Sequence, residues 1–309
     1  MKKFLLNILI ACLMAGGVLS WISWISYSKM RYVDYRLPDD IHSITLGPST
    51  THGCINETII PGLKNVSRDG TDFFYLMPIL SKVLQNNPQI DTVYIPHGRH
   101  YLMTGKRADF EGQLSNVWDK LPFIFCGMDK QELTEVLKDV CFYVAILNPN
   151  SEDAFLDHRH SLEDFGFNCT SHKAQNLFND KQLWSVAWYD SVYASIGNKY
   201  KVEDLRDFSH FARAIRVCRQ YDVVPVMLFT PLYQYDKWFE PEGFYDYMQT
   251  LDSDLLVADY ENFEFSNDTL CRRDVHHLNV YGAREFSTYI AEHGFKPIKL
   301  GEWLKQHGH

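Results

Sequence analysis

The stretch that most constrains the fold is Val223–Thr230, an almost unbroken apolar run. A strand that is buried on both faces has this composition, because helices cover both sides of a parallel sheet. An amphipathic helix is predicted directly before it, at Val202–Tyr221. A helix that leads into a doubly buried strand indicates an α/β fold with a parallel sheet.

Other segments alternate between strand and helix patterns in the same way. Further strands are predicted at Ser43–Leu46, Leu63–Ser67, Asp91–Pro96 and Leu255–Tyr260. Further helices are predicted at Phe73–Leu84 and Tyr281–Glu292. The alternation therefore predicts a parallel sheet that is covered by helices on both faces.

One long segment, Met103–Tyr200, interrupts this alternation. A helix is predicted in it at Lys130–Val140 and a strand at Cys141–Leu147. It is also rich in aromatic side chains, among them Trp118, Trp184, Trp188, Tyr189 and Tyr193. Because it lies between two strand–helix units, we expect an insert at about 103–200 over the carboxyl edge of the sheet. Its aromatic rings would either stack on sugars or form a small core of the insert's own.

The N-terminus carries the only apolar run of membrane length, Phe4–Ile25. Lys2 and Lys3 precede it, and Trp21 and Trp24 cluster at its far end, where aromatic rings favour a membrane interface. We expect residues 1–30 to form a transmembrane signal anchor, with residues 31–309 outside the cytoplasm, in the periplasm or on the cell surface. Two alternatives remain open: a signal-peptide cleavage site at Val18-Leu19-Ser20 and a lipoprotein box at Leu9-Ile10-Ala11-Cys12.

Composition argues against two classes of function. The formal net charge is −9 and no basic block occurs, which disfavours nucleic acid as a partner. The seven cysteines include no C-x-x-C pair, which disfavours a structural zinc site. No cofactor is predicted. One conceivable metal site would use five histidines, but their spacing does not support it: His52, His97, His100, His276 and His277.

The first candidate for chemistry is a strand–turn–helix pattern around Ser49. The predicted strand Ser43–Leu46 ends at Gly47-Pro48, and Gly53–Glu57 can open a helix. This order places the Ser49 hydroxyl at the carboxyl end of a strand, where open α/β sheets bind ligands. There it would be either a nucleophile or the N-cap of an ordinary helix.

The second candidate is the pair Asp274 and His277, in Asp274-Val275-His276-His277-Leu278-Asn279-Val280-Tyr281-Gly282. Three residues apart in a turn, the carboxylate can reach the imidazole and leave its other ring nitrogen free to take a hydroxyl proton. This segment resembles the D-x-x-H-L-N-x-x-G signature of the SGNH/GDSL hydrolase family. Gly47-Pro48-Ser49 is similar to that family's G-D-S turn, with Pro in place of Asp.

The resemblance spans about Ile41 to Ile290 and implies a flavodoxin-like three-layer sandwich with a parallel sheet of about five strands. It implies a catalytic triad of Ser49, His277 and Asp274. It also implies an oxyanion hole that would be formed by the Ser49 N–H, Gly70, and Arg99 or His100, where His100 stands in place of the family's Asn.

The function that follows is a serine esterase, O-acyltransferase or deacetylase acting on acyl esters of cell-envelope carbohydrate. The expected partners are an acylated carbohydrate or another small ester, and a membrane through the N-terminal helix. The alternative is a catalytically weak or inactive SGNH-like protein that binds glycan or serves as a scaffold in the envelope, which the substitution at His100 favours.

Overall fold

The alternation of strands and helices is present in the structure, a computed structural model that describes residues 2–31, 33–69, 73–97, 130, 134, 206–232, 243–274 and 277–308. The strands are β1 Ser43–Thr45, β2 Leu63–Asn65, β3 Thr92–Pro96, β4 Val224–Phe229, β5 Leu256–Asp259 and β6 Ile298–Lys299. The helices are α1 Lys2–Arg31, α2 Ser49–Cys54, α3 Phe73–Asn86, α4 Arg206–Gln220, α5 Phe244–Leu251, α6 Val280–His293 and α7 Leu300–His307. A short 3₁₀ helix, η1, spans Thr269–Cys271.

The described strands form one sheet in the order β2-β1-β3-β4-β5-β6. The pairs from β2 to β5 are parallel, and β6 is antiparallel to β5. The predicted α/β class with a mostly parallel sheet is therefore confirmed. The strands predicted from the sequence end with Leu255–Tyr260, and the structure adds β6 after it. A strand of two residues is too short to leave an alternating pattern in the sequence.

Alternate residues of β4 point to the two faces of the sheet, and each face is covered. On one face, Val226 and Leu228 belong to a core cluster with Phe286 and Ile290 of α6, which also contains Cys54 of α2. On the other face, Phe229 packs against Trp303 of α7. Helices on both faces explain why the Val223–Thr230 run is apolar throughout.

The chain divides into two compact units. One comprises Met1–Asp34 and Arg107–Asp164, and the other comprises Tyr35–Lys106 and Phe165–His309. The sheet and the candidate site described below belong to the second unit. Apart from Lys130 and Thr134, the insert predicted at about 103–200 lies outside the described residues.

Helix α1 coincides with the apolar N-terminal run, and its side chains are described only for residues 2–18, 20, 21 and 24. Phe4, Leu13 and Trp21 are among its exposed apolar side chains. Within the part of the chain that the structure describes, no helix has the length and apolar character needed to cross a membrane. The predicted transmembrane anchor is thus not supported by the structure.

Candidate active site

Ser49 lies just beyond the carboxyl end of β1, as the first residue of α2. The expectation that Gly53–Glu57 opens this helix is wrong, because α2 begins at Ser49 and ends at Cys54. The alternative interpretation of Ser49 as an N-cap is also wrong. Pro48 occupies the cap position and no side chain caps the helix. The Ser49 hydroxyl is therefore available for another partner.

The turn before Ser49 is held closely against β3. A Cβ atom at Gly47 would collide with the ring of Pro96 and crowd the hydroxyl of Thr51. The Gly47 carbonyl accepts a hydrogen bond of 2.9 Å from the N–H of Arg68. The glycine is thus required by close packing of the turn against the neighbouring strand.

The partner of Ser49 is His277, although 228 residues separate the two in the sequence. The Ser49 Oγ lies 2.8 Å from the His277 Nε2. The His277 Nδ1 lies 2.7 Å and 2.9 Å from the two carboxylate oxygens of Asp274. An ionised carboxylate only accepts hydrogen bonds, so Nδ1 donates to it and Nε2 is left to accept the Ser49 hydroxyl proton. The structure thus brings the three predicted triad residues together in a continuous chain of hydrogen bonds.

Asp274 also holds the backbone of His277, because its Oδ1 accepts the His277 N–H at 2.9 Å. Its other oxygen lies 3.3 Å from the Nε of Arg273. The side chains of His277 and Asp274 are 17% and 30% exposed. The pair is consequently oriented by the protein and remains partly exposed.

The loop that carries this pair, residues 271–279, is closed by its own backbone. Arg272 and Leu278 form an antiparallel bridge, and the Arg273 N–H donates to the His277 carbonyl at 3.0 Å. The N–H of Asn279 donates to the carbonyl of Cys271, also at 3.0 Å. We call residues 271–279 the acid–base loop.

A fully buried arginine fixes the acid–base loop to the body of the domain. The Arg272 Nε donates to the Ser266 carbonyl at 2.6 Å, and its Nη2 donates to the Pro231 carbonyl at 3.0 Å. Hydrogen bonds from a charged donor are stronger than neutral ones, which suits a side chain removed from water. The sequence does not predict this role of Arg272, because nothing in a lone arginine indicates burial.

Asn279 joins the acid–base loop to α6. Its Oδ1 accepts the N–H groups of Tyr281 and Gly282 as the N-cap of α6. Its Nδ2 donates to the carbonyls of Leu270 and Arg272, at 2.7 Å and 3.1 Å. All of its amide groups are thus used to fix the start of the helix and the loop before it.

Gly282 completes this arrangement, because a Cβ atom there would collide with the Cys271 carbonyl. Burial raises the pKa of the Cys271 thiol, and the nearby carboxylates of Asp268 and Glu285 raise this pKa further. Cys271 is therefore expected to remain a thiol at neutral pH.

Of the predicted oxyanion donors, only Ser49 lies in the described ranges; Gly70, Arg99 and His100 fall outside them, as does His276. His97 packs against the rings of Phe229 and Phe244.

His52 lies on α2, and its Nδ1 is 3.8 Å from an oxygen of Asp69. Among the residues that the structure places, no group of three or more His, Cys, Asp or Glu side chains is arranged to hold a metal ion.

A cavity of about 510 Å³ lies elsewhere in the domain, beside β5 and β6. Its lining includes Asp259, Tyr260, Tyr289, Lys296, Trp303 and His307. None of the three triad residues lines it. The cavity is therefore separate from the Ser49 site.

Comparison with known proteins adds no further assignment. No protein-family model matches the chain, and no curated protein matches it either.

Proposed function

We propose that this protein is an SGNH-type serine esterase or O-acyltransferase that acts on acyl esters of cell-envelope carbohydrate. The observation that carries the proposal is the chain of hydrogen bonds from Asp274 through His277 to Ser49, with contacts of 2.7 Å and 2.8 Å. A hydroxyl, an imidazole and a carboxylate in this order form the constellation that activates a serine nucleophile on unrelated folds.

Each member of the chain has a defined role in the proposed reaction. The Ser49 Oγ attacks the ester carbonyl carbon while the His277 Nε2 takes the hydroxyl proton, which forms a tetrahedral oxyanion. Breakdown of this intermediate breaks the bond to the leaving alkoxide, which receives that proton from Nε2. Water or a sugar hydroxyl then gives a proton to Nε2 and attacks the acyl-serine carbonyl. The second tetrahedral intermediate breaks its bond to the Ser49 Oγ, which takes the proton back from Nε2, and an acid or a new ester is released.

Asp274 would stay ionised throughout these steps. It holds the Nδ1–H of His277 and stabilises the imidazolium that forms when Nε2 takes a proton. The oxyanion would be stabilised by the Ser49 N–H, which as the first N–H of α2 has no acceptor within the helix. Gly70 and either Arg99 or His100 are proposed as the further donors.

The fold is compatible with this proposal. The order 2-1-3-4-5 of the parallel strands is that of flavodoxin-like sheets, in which ligands bind at the carboxyl edge. Ser49 follows β1 at that edge. We therefore propose a flavodoxin-like three-layer sandwich, which is the arrangement implied by the family resemblance.

The substrate class and location rest on the sequence. A protein held outside the cytoplasm by the apolar segment Phe4–Ile25 would meet acylated glycans of the envelope. We propose that location, and membrane attachment through the same segment, together with the activity. Fractionation of cells that express the full chain tests the attachment: the protein should stay with membranes after an alkaline wash.

Hydrolysis of an aryl acetate tests the activity most simply, with the melting temperature measured on the same samples. Ser49→Ala and His277→Ala should each lower kcat by up to about a million-fold, and the double variant should fall little further, because triad members act as a unit. Turnover that is unchanged in both single variants would exclude the triad.

A glycan-binding or scaffold protein with a weak or inactive site is the second candidate. His100, in place of the Asn that the family resemblance implies as an oxyanion donor, favours it. The same assay separates the two candidates. A wild-type protein that neither hydrolyses the ester nor reacts with a fluorophosphonate, but binds an envelope glycan, would favour the scaffold.

A further inference from the structure

We propose that Asn65 is a positioning residue for Ser49: its buried amide holds α2, and the nucleophile with it, against β1 and β2. The inference rests on the proposed function, since it concerns the geometry of the same triad. It adds a residue that lies outside the motifs by which the triad was predicted.

Asn65 is the last residue of β2, and its side chain has no exposure to solvent. Its Oδ1 accepts a hydrogen bond of 3.0 Å from the Thr45 hydroxyl of β1 and another of 3.0 Å from the Ser67 N–H. Its Nδ2 donates to the carbonyls of Thr51 and Ile55, at 3.2 Å and 2.8 Å. A primary amide offers two donors and two acceptor positions, and Asn65 uses all of them.

Of the two carbonyls that Asn65 binds, that of Thr51 lies within the helix that Ser49 begins, and that of Ile55 belongs to the residue directly after this helix. Helix α2 has only six residues and lacks a side-chain cap at its start. So short a helix is marginal by itself and needs contacts with the rest of the fold to hold it in place. Asn65 supplies two such contacts, one within α2 and one directly after it, so the orientation of α2, and with it the distance from the Ser49 Oγ to His277, depends on this side chain.

A second contact holds the chain that leaves α2 to the same strand. The Asn65 N–H donates to the Glu57 carboxylate at 2.6 Å, and the other oxygen of Glu57 accepts from the Lys64 ammonium at 2.7 Å. The backbone and the side chain of Asn65 thus act on the same segment. Loss of the amide should loosen α2 without detaching the residues that follow it.

The protein contains a matched control for this residue. Asn87, which follows α3, is 2% exposed and also uses its amide to join distant backbone segments. Its Oδ1 accepts the Leu37 N–H at 2.6 Å, and its Nδ2 donates to the carbonyls of Tyr35 and Val83, both at 2.7 Å. It shares the chemistry of Asn65 but makes none of these bonds to α2 or to the acid–base loop.

The test compares Asn65→Ala with Asn87→Ala in the full-length protein, at a temperature well below both melting temperatures. Both substitutions should lower the melting temperature. For aryl-acetate hydrolysis, only Asn65→Ala should lower kcat, by on the order of 100-fold, with KM changed by less than about threefold, because the nucleophile is misplaced. Hydrogen exchange of the amides of residues 50–55 should become faster in Asn65→Ala and not in Asn87→Ala.

Thr45→Val provides a second variant if Asn65→Ala does not fold. It removes only the hydroxyl that orients the Asn65 Oδ1, and it should lower kcat by several-fold and speed the same amide exchange.

Equal kcat losses in the Asn65 and Asn87 variants, or unchanged exchange in α2, would overturn the inference. An active wild type with a Ser49-dependent reaction and full activity in Asn65→Ala and Thr45→Val would overturn it while leaving the proposed function intact. A wild type with no reaction at Ser49 would instead overturn the proposed function and the inference together.

Discussion

The two halves of the candidate triad are supported in different ways. The acid–base loop is closed by its own backbone bridge, fixed by the buried Arg272, and joined to a 14-residue helix that Asn279 caps. Ser49, by contrast, begins a helix of six residues that no side chain caps. That helix is held by an amide from a different strand, that of Asn65. The acid–base loop is thus held by several contacts, whereas α2 depends on a side chain from a neighbouring strand.

This difference determines where the site should be sensitive to substitution. Several independent contacts in the acid–base loop can compensate for the loss of one of them. Helix α2 has fewer supports, so a single lost contact should displace Ser49. Substitutions in the two regions therefore test the comparison directly.

After His277→Ala, Asp274→Asn should have the largest effect in the acid–base loop. The amide retains much of the shape but can present an N–H to the His277 Nδ1, which favours the wrong imidazole tautomer, so kcat should fall by about 10⁴-fold. Rates of aryl-acetate hydrolysis measure this directly. A loss below about tenfold would mean that Asp274 does not orient His277 during turnover.

Asn279→Ala should have a smaller effect on rate than Asn65→Ala. It removes the N-cap of α6 and two bonds within the loop, so the free energy of unfolding should fall by about 1–3 kcal/mol. The backbone bridge and Arg272 remain, and kcat should fall by less than about tenfold.

Asn279→Ser serves as the control, because its hydroxyl keeps a capping oxygen while the Nδ2 donors are lost. Its melting temperature should lie between those of the wild type and Asn279→Ala. A loss of kcat in Asn279→Ala as large as that in Asn65→Ala would contradict the difference drawn between the two regions.

Glycine substitutions should give the smallest effects, and they compare the packing of the two regions. Gly47→Ala and Gly282→Ala should each lower the free energy of unfolding by about 1–3 kcal/mol, because the added methyl groups meet Pro96 and the Cys271 carbonyl. Gly53→Ala is the matched control in α2, since a Cβ atom there meets nothing within 4 Å.

The control substitution should be neutral or should stabilise the protein by up to about 1 kcal/mol, through its greater helix propensity. Chemical denaturation of the three variants measures these differences. Destabilisation by Gly53→Ala as large as that by Gly47→Ala would mean that crowding is not the cause.

The elements that could be predicted from the sequence are those with long or strong patterns. Strand β4 is apolar throughout, and α4 shows helical periodicity over four turns, so the sequence locates both to within a few residues. Helices α5 and α7 have eight residues each and are not predicted, since two turns give too little periodicity.

Two residues of the candidate triad, Asp274 and His277, could be found because they lie close together in the sequence and have a recognisable spacing. Their supports could not be found in the same way. The roles of Asn65 and Arg272 depend on partners elsewhere in the fold, such as the carbonyls of Thr51 and Pro231. A buried polar side chain has no local pattern that identifies it, whereas Asn279 was at least part of the motif.

The most direct test of the central claim is the site of reaction with a fluorophosphonate, which forms a stable bond to an activated serine. The full-length protein would be treated with the reagent, digested, and analysed by mass spectrometry, with His277→Ala and Asn87→Ala treated in parallel. The account predicts a single adduct on Ser49 in the wild type and in Asn87→Ala, and none in His277→Ala. An adduct on another serine, or equal labelling of Ser49 in His277→Ala, would contradict the proposal that His277 activates Ser49.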